Sequence, residues 1–350
     1  MRIILLAGGS GGHISPAFAI ASEFRKELPS AHILFFCSRN PLDISFFQSS
    51  QERYIPIFSG KIRRYFSFQN FIDPFLLLLG IFQCLFLFLR KRPDIVFSKG
   101  GFVAIPGCIA AWILRIPVFA HESDAVSGIA TRLCQKFAKQ IFTTFPEKKG
   151  IHTGTPIRSE ILKGNRERGR KFLEFSGKKQ ILLGIGGSQG SKFLNTLLES
   201  SADELLKMLD IVWITGAGSE KIITPRFGLR IFPFLGTELP DVLAVADLVV
   251  SRSGSNFLFE LAVLGKPMLL IPLATAAGDH QTQNARIFSE NKAAQVLLEK
   301  DAPRQFLKEV TDLFSDQHLR KTLGENAKKM ATTNAAEQIV TKVLQNFSKE

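Results

Sequence analysis

The chain has 350 residues, enough for about two domains that each bury a real core. Hydrophobic residues make up 45% and charged residues 21%, values that exclude a disordered chain. A formal net charge of +13 asks for an anionic partner, whether nucleic acid, a membrane surface or a phosphorylated substrate.

No arginine-rich tail, zinc-ligand spacing or RNP-like aromatic motif supports nucleic acid. The four cysteines, Cys37, Cys84, Cys108 and Cys134, are scattered without a CxxC and read as reduced core thiols of a cytosolic protein. The N-terminus, MRIILLAGG, is too short and too soon glycine-rich for a signal peptide.

Residues 3–7 read as an apolar strand. Gly8-Gly9-Ser10-Gly11-Gly12-His13 reads as a glycine loop, with a helix beginning near Pro16 at its first turn. The loop lacks the GK[ST] of a P-loop and, with Ile14 in place, the third glycine of a dinucleotide fingerprint. After the next strand, at 32–37, Arg39 stands where a ribose-binding acid would be expected, so NAD and NADP are disfavoured.

Residues 71–92 are apolar from Phe75 to Leu89 except at Gly80 and Gln83, and carry basic residues on both sides, Lys61, Arg63 and Arg64 before, Arg90, Lys91 and Arg92 after. Asp73 as cap and Pro74 at the first position predict a helix of about fifteen apolar residues. Such a helix spans about 22 Å, short of a hydrocarbon core near 30 Å. Two readings stand: a buried core helix, or a helix lying in the interface of an anionic membrane, with Leu85, Phe86 and Phe88 among its lipid-facing residues.

A strand at 94–97 leads to a second glycine loop, Ser98-Lys99-Gly100-Gly101-Phe102. A strand at 118–120 leads to His121-Glu122-Ser123-Asp124, and one at 141–144 to Thr153-Gly154-Thr155-Pro156-Ile157-Arg158. The polar segment 163–179 has the composition of a domain boundary.

The pattern then restarts with a strand at 180–184, the loop Gly186-Gly187-Ser188-Gln189-Gly190 and a helix from Ser191. Further strands are expected at 211–215, 229–234, 247–250 and 268–271. Arg252-Ser253-Gly254 is a turn before a helix that carries Glu260 about two turns in. Gly278-Asp279 opens a helix carrying His280, Gln281 and Asn284. Two successive β-α halves imply an α/β fold of two doubly wound, Rossmann-like domains facing across a cleft.

Polar groups gather where strands end and helices begin, the edge at which open parallel sheets bind ligands. Glycine loops and helix N-termini suit a nucleotide diphosphate. Glu260 can accept from a diol, and His280 and Gln281 can bond hydroxyls. Ser188 can add a hydroxyl donor, and Arg158 could reach a phosphate or the base. His13 is the first candidate general base, with Asp124 and Glu122 as rivals. There is no Asp-x-Asp and no clustered metal-ligand set in the sequence.

GGSGGHISPAFA, KGGFVAIPG, HESDAVSGIATR, TGTPIR, GGSQGSKFLN and RSGSNFLFELAVLGKP with DHQTQNA occur in order over residues 1 to about 290. Together they resemble the MurG family, the transferases that convert lipid I to lipid II. That resemblance implies a GT-B fold: an acceptor-binding, membrane-facing domain at 1–160, a nucleotide-sugar donor domain at 161–333, and a C-terminal helix at 334–350 returning to the first domain. It implies inverting transfer from UDP-N-acetylglucosamine without a metal or a cofactor, by a peripheral protein on the cytoplasmic side of the cell membrane that works beside wall-synthesis and division proteins.

Residue by residue, the resemblance puts Glu260 on the ribose, Ser188 and Gln189 on the donor phosphates and sugar, and Arg158, Arg252, Ser253 and Gly254 near the nucleotide. It puts the backbone at Leu235 against uracil, and His280 and Gln281 on sugar hydroxyls. His13, Ser10, Gly11, Gly12, Gly100, Gly101, Phe102 and Glu122 fall on the acceptor side. Where the family has HEQN this chain has His121-Glu122-Ser123-Asp124. Phe102 stands where tyrosine is common, and Ser10 where threonine is usual. Two alternatives stand beside this reading: a related GT-B transferase acting on a glycolipid, such as a diacylglycerol galactosyltransferase, and a catalytically dead scaffold of wall synthesis that binds nucleotide sugar.

Overall fold

The computed structural model describes residues 1–9, 11–60, 69–146, 148–175, 179–187, 190–219, 222–275 and 277–347. Ser10, Ser188, Gln189 and the Lys61, Arg63 and Arg64 cluster lie outside the described residues. The chain forms two compact units, Met1–Arg158 with Thr333–Glu350, and Ser159–Thr332.

Unit 1 carries a parallel sheet in the order β3-β2-β1-β4-β5-β6-β7. Its strands are β1 (Arg2–Leu6), β2 (His32–Cys37), β3 (Tyr54–Pro56), β4 (Ile95–Ser98), β5 (Val118–Glu122), β6 (Gln140–Thr143) and β7 (Ile151–His152). β4 and β5 are buried at every position, which is why they read as unbroken apolar runs and not as alternation. One face packs on α1 (Gly11–Glu27), and α13 (Ala335–Phe347) joins that core through Ile339, Val340 and Val343. The other face packs on α3 (Gln69–Lys91), α4 (Ala104–Ile113) and α5 (Ile129–Gln135). The four cysteines are buried and free.

Unit 2 repeats the plan in the order β10-β9-β8-β11-β12-β13, all parallel. Its strands are β8 (Gln180–Ile185), β9 (Leu209–Ile214), β10 (Leu229–Phe232), β11 (Leu248–Ser251), β12 (Met268–Leu270) and β13 (Gln295–Val296). α7 (Lys192–Met208) follows β8, α9 (Ser255–Val263) follows β11, α10 (His280–Glu290) follows β12, and α11 (Ala302–Ser315) and α12 (Gln317–Met330) follow β13. In each sheet the strand order reverses beside the first strand: between β1 and β4 in unit 1, and between β8 and β11 in unit 2. That reversal splays the loops apart and opens a crevice at the carboxyl edge.

Three local expectations change. Pro16 does not open α1, because the helix starts at Gly11 and Pro16 lies inside it, so His13 sits in the first turn. The polar segment after residue 163 is not a linker. Its core is α6 (Arg166–Leu173), capped by Asn165 and tied to α8 (Leu239–Val245) by Arg168, whose guanidinium donates to Asp241 at 2.7 and 2.8 Å.

The third change concerns α3. Asp73 does not cap it and Pro74 is not its first residue, since the helix begins at Gln69 and runs for 23 residues. At about 1.5 Å per residue it is about 34 Å long, so length and composition would allow it to cross a bilayer. Its packing argues otherwise. Cys84 and Phe88 are fully in the core, and the Gln83 amide donates to Pro56 O and accepts from Phe58 N–H. Gly80 lies against Phe58 O so closely that a Cβ would overlap it. Leu85 packs toward the same core as Phe88, so neither faces outward.

Candidate active site

The crevice of unit 1 lies between the β1 and β4 loops. Gly9 sits at φ 88°, and a Cβ there would strike the Phe102 ring. The Gly9 N–H donates to Asp43 Oδ2 at 2.5 Å, and Ser38 Oγ donates to the same oxygen. Asp43, buried in α2 (Pro41–Ser50), therefore pins the first glycine loop. The second loop turns at Gly100 and Gly101, with φ 88° and 77°. A Cβ on Gly101 would come within 3.2 Å of His13 Nε2 and would crowd it, and the left-handed φ favours glycine there as well.

His13 Nδ1 lies 3.2 Å from Lys99 O. A carbonyl can only accept, so Nδ1 carries the proton and Nε2 keeps its lone pair. Burial of the imidazole, and then the Lys99 ammonium, push its pKa down to about 4, against the Asp124 and Asp43 carboxylates. The ring is therefore neutral at cell pH. The Lys99 side chain is buried, 2% exposed, and donates to Ser123 Oγ. Its pKa falls to about 8, first through burial, with Glu122 and Asp124 opposing the fall.

Glu122 faces its own loop. Its Oε1 accepts from Asp124 N–H at 3.0 Å, and burial raises its pKa. His121 is buried, its Nε2 donates to Gly154 O at 2.9 Å, and it is held well below its usual pKa by burial and then by Lys99. Arg158, partly exposed, ends the first stretch of unit 1.

The crevice of unit 2 lies between the β8 and β11 loops. Gly187 has φ 91° with open space where a Cβ would stand. Gly190 has φ 72° and passes Thr215 O so closely that no side chain fits. Ser191 caps α7, accepting from Leu194 N–H at 3.3 Å. Gly254 caps α9 with no side-chain bond and open space above it, which leaves the helix start accessible to an anion. Glu260 is buried in the second turn of α9, and Leu235 is buried after β10.

Arg252 does not present a free guanidinium. It is buried, donates to Ile271 O at 3.0 Å and Ser191 Oγ at 2.9 Å, and pairs with Glu299 at 2.6 Å. Ser253 Oγ donates to Gln281 O at 2.8 Å, and Asn284 donates to Ser253 O at 3.1 Å, so the turn and α10 are locked together. The Gln281 side-chain oxygen accepts from Leu273 N–H at 3.0 Å. His280 is the first residue of α10 and partly exposed.

Residues 3–143 match the glycosyltransferase family 28 N-terminal domain and residues 181–339 its C-terminal domain. The chain belongs to glycosyltransferase family 28. Its relatives include the UDP-N-acetylglucosamine–N-acetylmuramyl-(pentapeptide) pyrophosphoryl-undecaprenol N-acetylglucosamine transferase 2 of Bacillus cereus, 40% identical over 92% of this chain and 94% of that one. The enzyme of the same name, without the number, from Clostridium kluyveri is 40% identical over 97% and 98%. The crystal structure of Acinetobacter baumannii MurG shares this family 28 fold with a TM-score of 0.75 at 24% identity, covering 98% of this chain and 99% of that one.

Asp43 and Glu299 stand in no motif of the sequence, and their partners, Gly9 and Arg252, lie far away along the chain. Lys99 and Asn284 stand in motifs, but their contacts to His13, Ser123 and Ser253 were not legible there.

Proposed function

We propose that this family 28 glycosyltransferase moves N-acetylglucosamine from UDP-N-acetylglucosamine to the muramic-acid 4-hydroxyl of undecaprenyl-pyrophosphoryl-N-acetylmuramyl-pentapeptide, turning lipid I into lipid II for peptidoglycan synthesis. The observation that carries this reading is 40% identity, over nearly the whole chain, to relatives named for that transfer.

Unit 2 is the donor side. The diphosphate lies on the Gly187 and Gly190 loop and the bare start of α9, with Ser188, Gln189 and Arg158 adding donors. Glu260 takes the ribose hydroxyls, the backbone at Leu235 meets the uracil, and His280 and Gln281 bond the sugar. Arg252 and Ser253 position that surface through the contacts described above. Unit 1 is the acceptor side, formed by Ser10, Gly11, Gly12, Gly100, Gly101, Phe102 and Glu122. The acceptor hydroxyl attacks C1 as His13 Nε2 takes its proton, and UDP leaves with inversion. Asp124 is the rival base. A pyrophosphate bound nearby opposes the Lys99 charge and raises the basicity of His13 toward the working pH.

The acceptor's lipid keeps it in the membrane, and α3 suits that. Phe71, Phe75, Leu78, Phe82, Phe86 and Leu89 recur along one line of the helix and are all exposed, Phe75 by 73% and Phe82 by 67%. Trp112 and Ile113 at the end of α4 are also exposed, Arg90, Lys91 and Arg92 follow the α3 stripe in sequence, and Arg115 follows α4. An apolar stripe with basic flanks fits the anionic cytoplasmic leaflet. Co-sedimentation with anionic liposomes should drop when Phe75, Phe82 and Phe86 are changed to serine. Equal binding by that folded variant would remove α3 from the membrane contact.

The function itself is tested by giving purified protein labelled UDP-N-acetylglucosamine with lipid I or with diacylglycerol. The label should enter the lipid I product alone. Transfer to diacylglycerol, or UDP binding with no transfer, would overturn the reading.

A further inference from the structure

Two loops that carry chemistry meet in unit 1, and one residue belongs to both. The main chain of Lys99 accepts from His13 Nδ1, while its side chain runs inward to Ser123 on the loop that also holds Glu122 and Asp124. A buried ammonium needs compensating charge. Here the compensation comes from one loop: Glu122 and Asp124 both act on Lys99, and the Asp124 main-chain N–H donates to Glu122 Oε1 at 3.0 Å. The same loop is where the chain departs from the HEQN pattern, with a hydroxyl at 123 and a carboxylate at 124. A hydroxyl seats the ammonium, and a carboxylate balances it.

We propose that Lys99 is a positioning residue for His13, its main chain fixing the imidazole and its buried ammonium, seated on Ser123 and balanced by Asp124, setting the charge that the imidazole faces. This rests on the reading of His13 as the base. The groups facing His13 are Lys99 from the β4 loop, Asp124 from the β5 loop and Asp43 from α2. Those facing Lys99 are Glu122 and Asp124, with His121 on the other side feeling the same charge. Lys99 works against protonation of His13, and Asp124 works for it. Ser123, Asp124 and Lys99 thus form one exchangeable set: removing the cation alone, or the anion alone, unbalances the imidazole, and removing both restores it.

The test titrates the His13 imidazole by NMR in the full chain and records kcat/KM against pH, for the wild type, Lys99→Met, Asp124→Asn and the double variant. Lys99→Met should raise the His13 midpoint by roughly one unit, the lower end of what a nearby charge does. Asp124→Asn should lower it, and the double variant should return toward the wild type. The acid limb of kcat/KM should move in the same order. A merely structural lysine would change the melting temperature and leave the midpoint alone, and an unmoved midpoint in folded Lys99→Met overturns the proposal. If that variant does not fold, Lys99→Gln, which removes the charge and keeps a donor for Ser123, should still raise the midpoint, and no rise there overturns the proposal equally. Midpoints that move while the acid limb stays fixed support the coupling and overturn His13 as the base.

Discussion

The two glycine loops at the two switch points share a topology and differ in what surrounds them. In unit 1, Gly9 and Gly101 stand among buried or half-buried ionisable groups: Asp43, His13, Lys99, His121, Glu122 and Asp124. In unit 2, Gly187, Gly190 and Gly254 stand among backbone N–H groups, capped helix starts and one satisfied ion pair, Arg252 with Glu299. In the proposed reading the first moves a proton and the second holds a ligand still, so the same β-α unit serves chemistry in one half and grip in the other.

The largest expected effect breaks the chemical half alone. His13→Ala should lower turnover by roughly 10²–10⁴, the usual worth of a general base, and leave UDP affinity unchanged by calorimetry. Should Asp124→Ala abolish turnover while His13→Ala barely alters it, the two roles exchange. The grip is broken by Glu260→Ala, which should weaken UDP binding about ten-fold or more, since a charged hydrogen bond contributes roughly 1.5–3 kcal/mol. Undiminished affinity in that folded variant would take Glu260 off the ribose.

Arg252→Ala sharpens the contrast between a ligand and a positioning residue. It leaves Glu299 without its buried partner and frees the Ser191 cap, so it should cost about 2 kcal/mol in denaturant unfolding. A residue acting only on the nucleotide would cost affinity and no stability.

The smallest effect is on stability against pH. His13 and His121 are held below their ordinary pKa of 6.5, His13 at about 4. Between those values the unfolded chain binds more protons than the folded one, so their contribution is full above about pH 6.5 and is lost as pH falls toward 4. Glu122, with its pKa raised, runs the opposite way. The denaturant midpoint should be lower at pH 5 than at pH 7, and His121→Asn should narrow the gap. An unchanged gap would mean that the buried histidines do not govern it.

The central strands of both doubly wound sheets were legible in the sequence, because buried parallel strands are short apolar runs and β1, β4, β8 and β9 end at glycines, whereas the short edge strands β3, β7 and β13 were not read. The loops that form the two crevices were legible for the same reason. What the sequence hid was tertiary. Pro16 and Pro74 look like helix starts, yet α1 and α3 begin earlier, since packing outweighs the local preference of one proline. Leu85, Phe86 and Phe88 look alike in an apolar run, and only the packing of α3 on β2 and α4 tells core from surface; Phe88 stacks on Phe36 while Phe86 lies exposed. Asp43 meets Gly9 across 34 residues, and Lys99 meets His13 across 86, so no local pattern could have joined them.

The most direct test of the division between the halves is amide NMR of the full chain during titration with UDP. The account predicts shifts concentrated at Gly187, Gly190, Gly254 and the start of α10, with Gly9, Gly101 and His13 unmoved. Shifts of equal size at Gly9 and Gly101 would contradict it, because the nucleotide would then occupy the loop assigned to the acceptor.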